Sequence, residues 1–446
     1  GDTGGNTAAD ALLSGGGITQ VDPQLDANLA AQAPQALLAS TTDVSFDAIA
    51  AASSLPSDTG MSAFGIWNNG FFVNTDYIGA ANPKFQGNWW DGWTVHGGSG
   101  SLKSGTFHPL QAEIESGELA PVGTPCPVGN SLGAQSIFGK SFTVCEISGD
   151  ITSDTTLSNG HVYLLSGTVN VGDGGAQGAT EASATNVTLT IEAGTQIFGD
   201  TTADAAGLVV SRGSDIVAQG TSSLPIVMSS ADNGVINTDT NDFQGRDEWG
   251  GLIIDGFAPV NEGAEVLSEA APDGVNRFFG GSDPADDSGS LRYVVITESG
   301  QEFRRDEEIQ GLTLEGVGSG TEIDYVQVHQ SGDDGIEWFG GTVNASHVVI
   351  TGMEDDGLDM DLGYQGGIQF AIVKLADDGG NRAIESDNNG DNFSQTPIST
   401  PTMANVTLIG DAGGADATTT GALHREGFGV FMSKVVITDG AAPFEG

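Results

Sequence analysis

Two nearly identical acidic motifs lie 22 residues apart in the second half of the chain. The motif at 333–337 reads Asp-Asp-Gly-Ile-Glu, the motif at 355–359 reads Asp-Asp-Gly-Leu-Asp, and the aligned segment at 381–385 ends in glutamate. Clustered carboxylates can bind a hard metal ion or carry out acid–base catalysis. The acidic residues of this set are Asp333, Asp334, Glu337, Asp355, Asp356, Asp359 and Glu385.

If the three segments occupy equivalent positions in stacked coils, their carboxylates form columns of like charge. Such columns repel unless a proton, an arginine such as Arg382 or a cation neutralises them. Ca²⁺ takes about six to eight oxygen ligands, which carboxylates and turn carbonyls supply, so the columns predict a Ca²⁺ site. Two alternatives stay open: corner aspartates that hydrogen-bond their own turns, and catalytic carboxylates. Segment 387–392 has the composition of a calcium loop but lacks its closing glutamate.

Two interleaved series of short segments, many of them rich in β-branched residues, must position these acids. The steps within the first series are 32, 22, 23, 35 and 29 residues, and those within the second are 24, 22 and 25. The first series is Tyr293–Ile296, Tyr325–Val328, His347–Ile350, Phe370–Val373, Asn405–Leu408 and Lys434–Ile437. The second is Gly311–Glu315, Gly335–Phe339, Gly357–Asp361 and Arg382–Ser386. Earlier segments of similar character are Phe142–Ile147, Val162–Val171, Val187–Glu192, Leu208–Val210, Ile226–Met228 and Leu252–Ile254.

Two series with one shared period predict a coil that holds at least two strands, which is typical of a parallel β-helix. A β-sandwich would instead show hairpin turns at shorter spacing. The 68 glycines fit this fold, because every coil must turn its corners. We therefore predict an all-β, right-handed parallel β-helix over 125–446, preceded by an Ala-rich, partly helical segment 1–60 and an aromatic-rich capping segment 61–124.

Aromatic residues crowd the capping segment, and we expect them to form an interface between copies of the chain. Tryptophan and tyrosine are enriched at protein interfaces. A buried plug within one chain is the alternative, as is a surface that stacks on sugar rings. Phe444 joins this set because it follows the last predicted strand, whose edge another subunit is expected to cover. The interface residues are Trp67, Phe71, Tyr77, Trp89, Trp90, Trp93 and Phe444.

The charge of the chain excludes several classes of function. The 60 acidic and 13 basic residues give a net charge of −47, which repels nucleic acid and anionic polysaccharides. The chain contains no apolar run long enough to span a membrane. Cys126 and Cys145 lie close together in the sequence and predict a disulfide and an oxidising compartment, with two buried free thiols as the alternative. We therefore expect a secreted or surface-attached protein.

The known enzymes with a β-helix fold do not match this sequence well. The glycosidases among them carry Gly-His-Gly and Arg-Ile-Lys segments, and neither occurs here. The calcium-dependent lyases use an arginine base, a role that Arg382 or Arg425 could fill, but a salt bridge is the alternative for each. His329, His347 and His424 are not spaced with a further ligand as a zinc site requires.

From about residue 125 onward, the chain resembles a family of bacterial surface proteins and lipoproteins with right-handed β-helix folds. This resemblance implies the fold and an exported location, and it carries no activity over. Segments 75–80 and 89–94 resemble the part that closes such proteins at their C-terminus, so the chain reads as permuted or as one unit of a repeating series. The matching segments are Val162–Gly167, Ile191–Thr195, Ser211–Ser214, Trp249–Leu252, Gly311–Leu314 and Gly318–Gly341.

These observations together predict an extracellular structural protein that assembles head to tail through its solenoid ends, with Ca²⁺ on the acidic columns. Its main partner would be a second copy of itself, in a filament or a surface lattice. The alternative is a polysaccharide-acting enzyme or a carbohydrate-binding surface protein that uses the acidic columns with Trp338 and Tyr364.

Overall fold

The computed structural model describes most of the chain from residue 120 onward and short pieces before it. The described residues are 70–75, 77, 79–82, 88–95, 120–137, 140–203, 205–232, 243, 245–271, 275–303, 309–376, 379–410 and 421–438. The predicted partly helical segment 1–60 lies outside them, as do Trp67 and Phe444. The described part contains 25 strands and no helix.

Each coil of the chain passes through three faces, and each strand stacks in parallel on its counterpart in the next coil. Face A begins with β3 (Thr155–Leu157), β6 (Thr188–Ile191) and β9 (Asp215–Gln219). Face B begins with β2 (Lys140–Ile147), β4 (Val162–Leu165), β7 (Gln196–Gly199) and β10 (Ile226–Ser230). Face C contains β5 (Thr168–Val171), β8 (Gly207–Val210), β11 (Gly251–Asp255), β15 (Leu312–Glu315), β17 (Ile336–Phe339), β19 (Leu358–Asp361), β21 (Ile384–Ser386) and β23 (Leu423–His424).

In the second half, one long strand of each coil runs through faces A and B. These strands are β14 (Gly289–Ser299), β16 (Glu322–Ser331), β18 (Asn344–Thr351), β20 (Gly367–Lys374) and β22 (Thr402–Ile409), and the last coil divides into β24 (Phe431–Ser433) and β25 (Val436–Thr438). Two further elements are antiparallel. β1 (Asn130–Ile137) pairs with β2 at the first edge of face B, and β12 (Val266–Leu267) pairs with β13 (Phe278–Phe279) in the insertion after β11.

One residue with a left-handed backbone conformation bends each long strand and divides face A from face B. In β14, Ser290 pairs with β9 and Val295 pairs with β10, and Tyr293 lies between them. The equivalent residues have φ between 49° and 59°, and each begins one of the six predicted strand copies: Tyr293, Tyr325, His347, Phe370, Asn405 and Lys434. The backbone therefore bends in the same way in these six coils, as the repeating sequence predicts.

The core is a continuous stack of aliphatic side chains inside the coils. On face B, Ile296 pairs with Val328 and Val328 pairs with Ile350, and all three side chains are buried. Cys145 lies at the start of this stack and forms a disulfide with Cys126, which packs against the core.

The fold-class prediction is confirmed: the strands stack in parallel from β2 to β25 and form a parallel β-helix. The β-branched segment Val162–Val171 divides into two strands, β4 and β5. Gly167, with φ of 83°, makes the corner between them. Each coil therefore holds three strands where the two series predicted at least two.

The described residues between 70 and 95, which we call the strap, lie across the outside of the β-helix. The strap covers apolar outward side chains of face B, including Val227 and Val295, which pack with Trp93 and Val95. Further along the solenoid, Ala80 and Trp90 pack on Val349, Ile372 and Ile409. The outer side of face B is thus buried by the chain's own N-terminal part.

Candidate metal centre

The corner between faces B and C carries a column of aspartates. Asp334 and Asp356 are equivalent, since their carbonyl oxygens accept hydrogen bonds from the amides of Gly311 and Gly335. The amide of Asp356 donates to Asp334 Oδ1 at 2.8 Å, and the amide of Arg382 donates to Asp356 Oδ1 at 2.5 Å. One oxygen of each carboxylate therefore caps the next coil, whereas the turn alternative expected it to hydrogen-bond its own turn.

A second acidic column lies on the outer side of face C. Glu337 of β17 pairs with Asp359 of β19, and Asp359 pairs with Glu385 of β21. The neighbouring Ile336 and Trp338 are fully buried in the core, because side chains alternate along a strand. The strand register thus places the three acids in one column. Glu337 and Glu385 are mostly buried, whereas Asp359 is partly exposed.

Two sets of three carboxylates come close enough to share a metal ion. Asp333, Asp334 and Asp355 each offer an oxygen within 4.8 Å of the others, and Asp334, Glu337 and Asp359 do the same. Glu337 is 7% exposed, and the charges that act on its carboxylate most strongly are those of other acids, Asp359 and Asp334. A buried acid surrounded by other acids fits a hard cation, which prefers carboxylate oxygens. Five of the seven predicted ligands thus form two sets that share Asp334, and Asp356 and Glu385 belong to neither set.

The proximity of these acids has a strong effect on their protonation. Burial raises the pKa of Asp334, Glu337 and Asp359 well above the ordinary carboxyl range, and the neighbouring carboxylates raise it further. Burial also raises the pKa of Asp356 to about 10 and that of Asp361, at the next outward position of β19, to about 7. At neutral pH, the column must therefore hold protons or a cation.

Two arginines neutralise the end of the column that lies toward the last coil. Arg425 Nη2 contacts Glu385 and lies 2.8 Å from Asp387 Oδ2, while its Nε donates to Asp387 Oδ1 at 2.8 Å. Arg382 Nε lies 3.8 Å from Glu385 Oε2. The salt-bridge interpretation thus accounts for both arginines, and Glu385 is held by them apart from the two carboxylate sets.

Segment 387–392, which has the composition of a calcium loop, holds a loop in place through hydrogen bonds. Asn388 Oδ1 accepts the amide of Ser399 at 2.8 Å and Asn261 Nδ2 at 2.9 Å. Asn389 Oδ1 accepts the amide of Asn392 at 2.9 Å. The side-chain oxygens of Asn388 and Asn389 thus accept hydrogen bonds within the protein, and these bonds explain why asparagines occur in this segment.

The three histidines have separate surroundings. His329 Nδ1 lies 2.6 Å from Thr351 Oγ1, and His347 Nδ1 lies 2.8 Å from Asp324 Oδ1. Burial lowers the pKa of His424 to about 4. None of the three belongs to the groups of close metal-ligating side chains among the described residues.

The sugar-binding role considered for Trp338 and Tyr364 was wrong. Both side chains are fully buried, and their rings stack on each other inside the solenoid with centroids 5.4 Å apart. Tyr364 also donates a hydrogen bond to the carbonyl of Val343. Neither ring can therefore stack on a sugar at the surface.

The strap aromatics cover the chain's own β-helix. Trp90 and Trp93 are fully buried, and Trp89, Phe71 and Tyr77 are partly exposed. This arrangement corresponds to the buried-plug alternative within one chain. An interface between copies at these residues stays a prediction.

An aromatic stack at the bend of the long strands receives two of these tryptophans. The ring centroids of Tyr293 and Tyr325 are 4.4 Å apart, those of Tyr325 and His347 are 4.2 Å apart, and His347 stacks on Phe370 at 4.8 Å. Trp93 meets Tyr293 and Tyr325 edge-on, and Trp89 meets Tyr325 and His347 in the same way. Sequence reasoning missed this stack, although its members begin four successive strand copies.

A buried ion cluster under the insertion after β11 was also missed. Arg277 Nε lies 3.1 Å from Asp255 Oδ2, and Arg277 Nη2 lies 3.1 Å from Glu315 Oε2. Ser268 Oγ lies 2.6 Å from both Arg277 Nη2 and Glu315 Oε1. The cluster fixes the insertion to the outer side of face C. No local sequence motif predicts this cluster, because its members come from four separate segments.

Comparison with known proteins gives one match. A family model described as a pectate-lyase-like beta-helix domain matches residues 149–445. No curated protein and no solved structure matches the chain significantly. Among the described residues, no helix is both long and apolar enough to cross a membrane.

Proposed function

The chain belongs to the family of pectate-lyase-like β-helix domains, and we propose that it is an exported structural protein that assembles head to tail. The main support is the condition of the two solenoid ends. Among the described residues, β1 at one end pairs with β2 alone, and β25 at the other end pairs with β22 alone. Open strand edges pair readily with another chain.

The last described coil also exposes apolar side chains that an end contact would bury. Phe431 of β24 is 43% exposed, and Met432 and Ile437 are only partly buried against the core. At the opposite end, Leu132 of β1 is 40% exposed. Contact between two unlike ends repeats from copy to copy, so it produces a fibre unless rotation closes a ring.

Ca²⁺ is the second part of this proposal. Asp334, Glu337 and Asp359 would hold one ion, and Asp333 and Asp355 would complete a second set with Asp334. A bound cation would replace the protons that burial and mutual repulsion otherwise impose on these acids. It would thereby stiffen the coils that lie next to the C-terminal end.

Electron microscopy and light scattering of the purified protein test this proposal, with Ca²⁺ present and after chelation. We expect filaments or concentration-dependent oligomers with Ca²⁺. Phe431→Asp should suppress them, because it places a charge at the end contact. Phe393→Asp is the matched control, since Phe393 is also exposed, at 54%, but lies in a loop. A wild-type protein that stays monomeric at all concentrations would contradict the proposal.

Polysaccharide binding or cleavage is the second candidate. It is supported by the family and by the half-exposed Arg425, which pairs with Glu385 and Asp387 on the outer side of face C. A panel of neutral and acidic polysaccharides, assayed for binding and for new chain ends, tests it. An active monomer whose turnover is lost in Arg425→Ala would replace the structural proposal.

A further inference from the structure

Two glutamines of the long strands bind the strap as a neighbouring strand would. The amide of Val95 donates to Gln327 Oε1 at 2.6 Å, and Gln327 Nε2 donates to the Val95 carbonyl at 3.1 Å. Gln369 makes the same pair of bonds with Val73, at 2.8 and 2.7 Å. Each glutamine thus satisfies both backbone groups of one strap residue.

Polar side chains of the last coils hold the middle of the strap. Asn405 Nδ2 donates to the carbonyl of Gly79 at 3.0 Å, and the amide of Ala80 donates to Thr407 Oγ1 at 2.9 Å. The amide of Gly79 donates to the carbonyl of Lys434 at 2.8 Å. We call the side chains that receive the strap the seat: Gln327, Gln369, Asn405, Thr407 and the aromatic stack.

The strap is bound as a ligand rather than woven into the fold. Its described residues add no strand to the β-helix, and they are held mainly by hydrogen bonds to outward side chains and by two fully buried tryptophans, Trp90 and Trp93. Any copy of the chain offers the same seat. Which copy supplies the strap therefore depends on how far the connecting residues can reach.

The reach is similar within one chain and between stacked copies. Val95 is bound at β16, which lies five strand steps from β2 and four from β25. At about 4.8 Å per step, the strap end is about 24 Å from its own β2. In a copy whose β1 stacks on β25, β2 lies six steps from β16, which is about 29 Å. Residues 96–119 number 24 and can span up to about 80 Å, so either connection is open.

We propose that, in the assembled state, the strap of each copy occupies the seat of the copy before it. This inference rests on the proposed head-to-tail assembly and specifies how the copies are linked. In an isolated chain, the strap lies on its own seat, as in this structure. On assembly it crosses the junction, so each contact between ends gains the burial of two tryptophans and the hydrogen bonds of the seat.

Two chains with tags of different size, each with one cysteine added to the native disulfide pair, test this exchange, one carrying Ala80→Cys and the other Thr407→Cys. The two positions are adjacent, because the Ala80 amide lies 2.9 Å from Thr407 Oγ1. After mixing, assembly and mild oxidation, non-reducing electrophoresis should show a covalent dimer of the two chains. Ser223→Cys, at an exposed site, replaces Thr407→Cys in the control and should give at least tenfold less dimer.

The double variant Ala80→Cys/Thr407→Cys, oxidised when dilute, should close within one chain. If it closes and the mixed chains link no better than the control, the strap stays on its own copy and the exchange is refuted. If the double variant does not close, the strap does not occupy the seat and the exchange is refuted as well. Filaments without the cross-link would leave the head-to-tail proposal intact, whereas the absence of both would refute the two proposals together.

Discussion

Replacing Glu337 with glutamine should stabilise the protein when divalent cations are removed and weaken its response to Ca²⁺. The nearest carboxylate oxygens of Asp334, Glu337 and Asp359 lie within 4.8 Å of one another. Two unit charges at that distance repel by about 3.5 kcal/mol at an effective dielectric constant of about 20. Three ionised groups would cost about 10 kcal/mol, which is comparable to the total stability of a typical domain. Without a cation, the folded protein therefore keeps protons on this set.

The cost of holding such a proton sets the size of the effect. Keeping one carboxyl protonated at about pH 7, against an ordinary pKa of 4.5, costs about 3.4 kcal/mol. Glutamine is neutral and has nearly the same shape, so Glu337→Gln removes this cost and adds a smaller one for the buried amide. We expect a gain of about 2–3 kcal/mol in chelator, which raises Tm by roughly 3–8 °C.

With Ca²⁺ the sign reverses, because the variant lacks one ligand. The wild type should gain about 2.7 kcal/mol when Ca²⁺ is at about 100 times its Kd, and the variant should gain clearly less. Thermal unfolding followed by circular dichroism, in chelator and in Ca²⁺, measures both effects. Glu181→Gln, at an exposed glutamate, is the matched control and should change neither Tm. Equal wild-type Tm in the two buffers would refute the metal site, and a lower Tm of Glu337→Gln in chelator would refute the electrostatic reasoning.

Three further predictions concern the pH dependence, the strap and the disulfide. In chelator, the free energy of unfolding should fall as pH rises from about 5 to 7, by about 1.4 kcal/mol per pH unit for each acid that keeps its proton in the folded state. Folded Asp356, with its pKa raised to about 10, keeps a proton that the unfolded chain releases, and so does the set that contains Glu337. Denaturant titrations that show a rise would contradict this. Trp93→Ala should cost about 3–5 kcal/mol and speed hydrogen exchange of the strap amides, whereas unchanged exchange would show that Trp93 does not hold the strap. Reduction of Cys126–Cys145, 19 residues apart, should lower the free energy of unfolding by about 3 kcal/mol, and an unchanged Tm in reductant would argue against that contribution.

The β-helix was predictable because strand segments of similar sequence recur at nearly regular spacing along the chain. The copies that begin at Tyr325 and His347 lie one coil apart in the structure, as their spacing of 22 residues predicts. The acidic motifs follow the same register, so Glu337 and Asp359 could be paired without coordinates. Stacking of equivalent residues is a local consequence of the period, and sequence reasoning captures it well.

The strap and its seat could not be predicted in the same way. Gln327 and Val95 are 232 residues apart, and no period connects them. The polar seat residues did leave a signal, because Gln327 and Thr407 interrupt an outward column of face B whose other members include Val295, Val349 and Ile372. A polar residue in an otherwise apolar outward column indicates a covered surface with a specific hydrogen-bond partner.

The same geometry stabilises one column of the solenoid and strains another. Coils stacked at about 4.8 Å bring equivalent side chains to nearly the same separation, whatever their chemistry. At the bend of the long strands the equivalent side chains include Tyr325 and His347, whose rings attract at 4.2 Å. On face C they are Glu337 and Asp359, whose charges repel unless something neutralises them. The aromatic column is completed by the strap and the acidic column by protons or a cation, so both columns depend on a component from outside the coils, and each gives assembly a means of control.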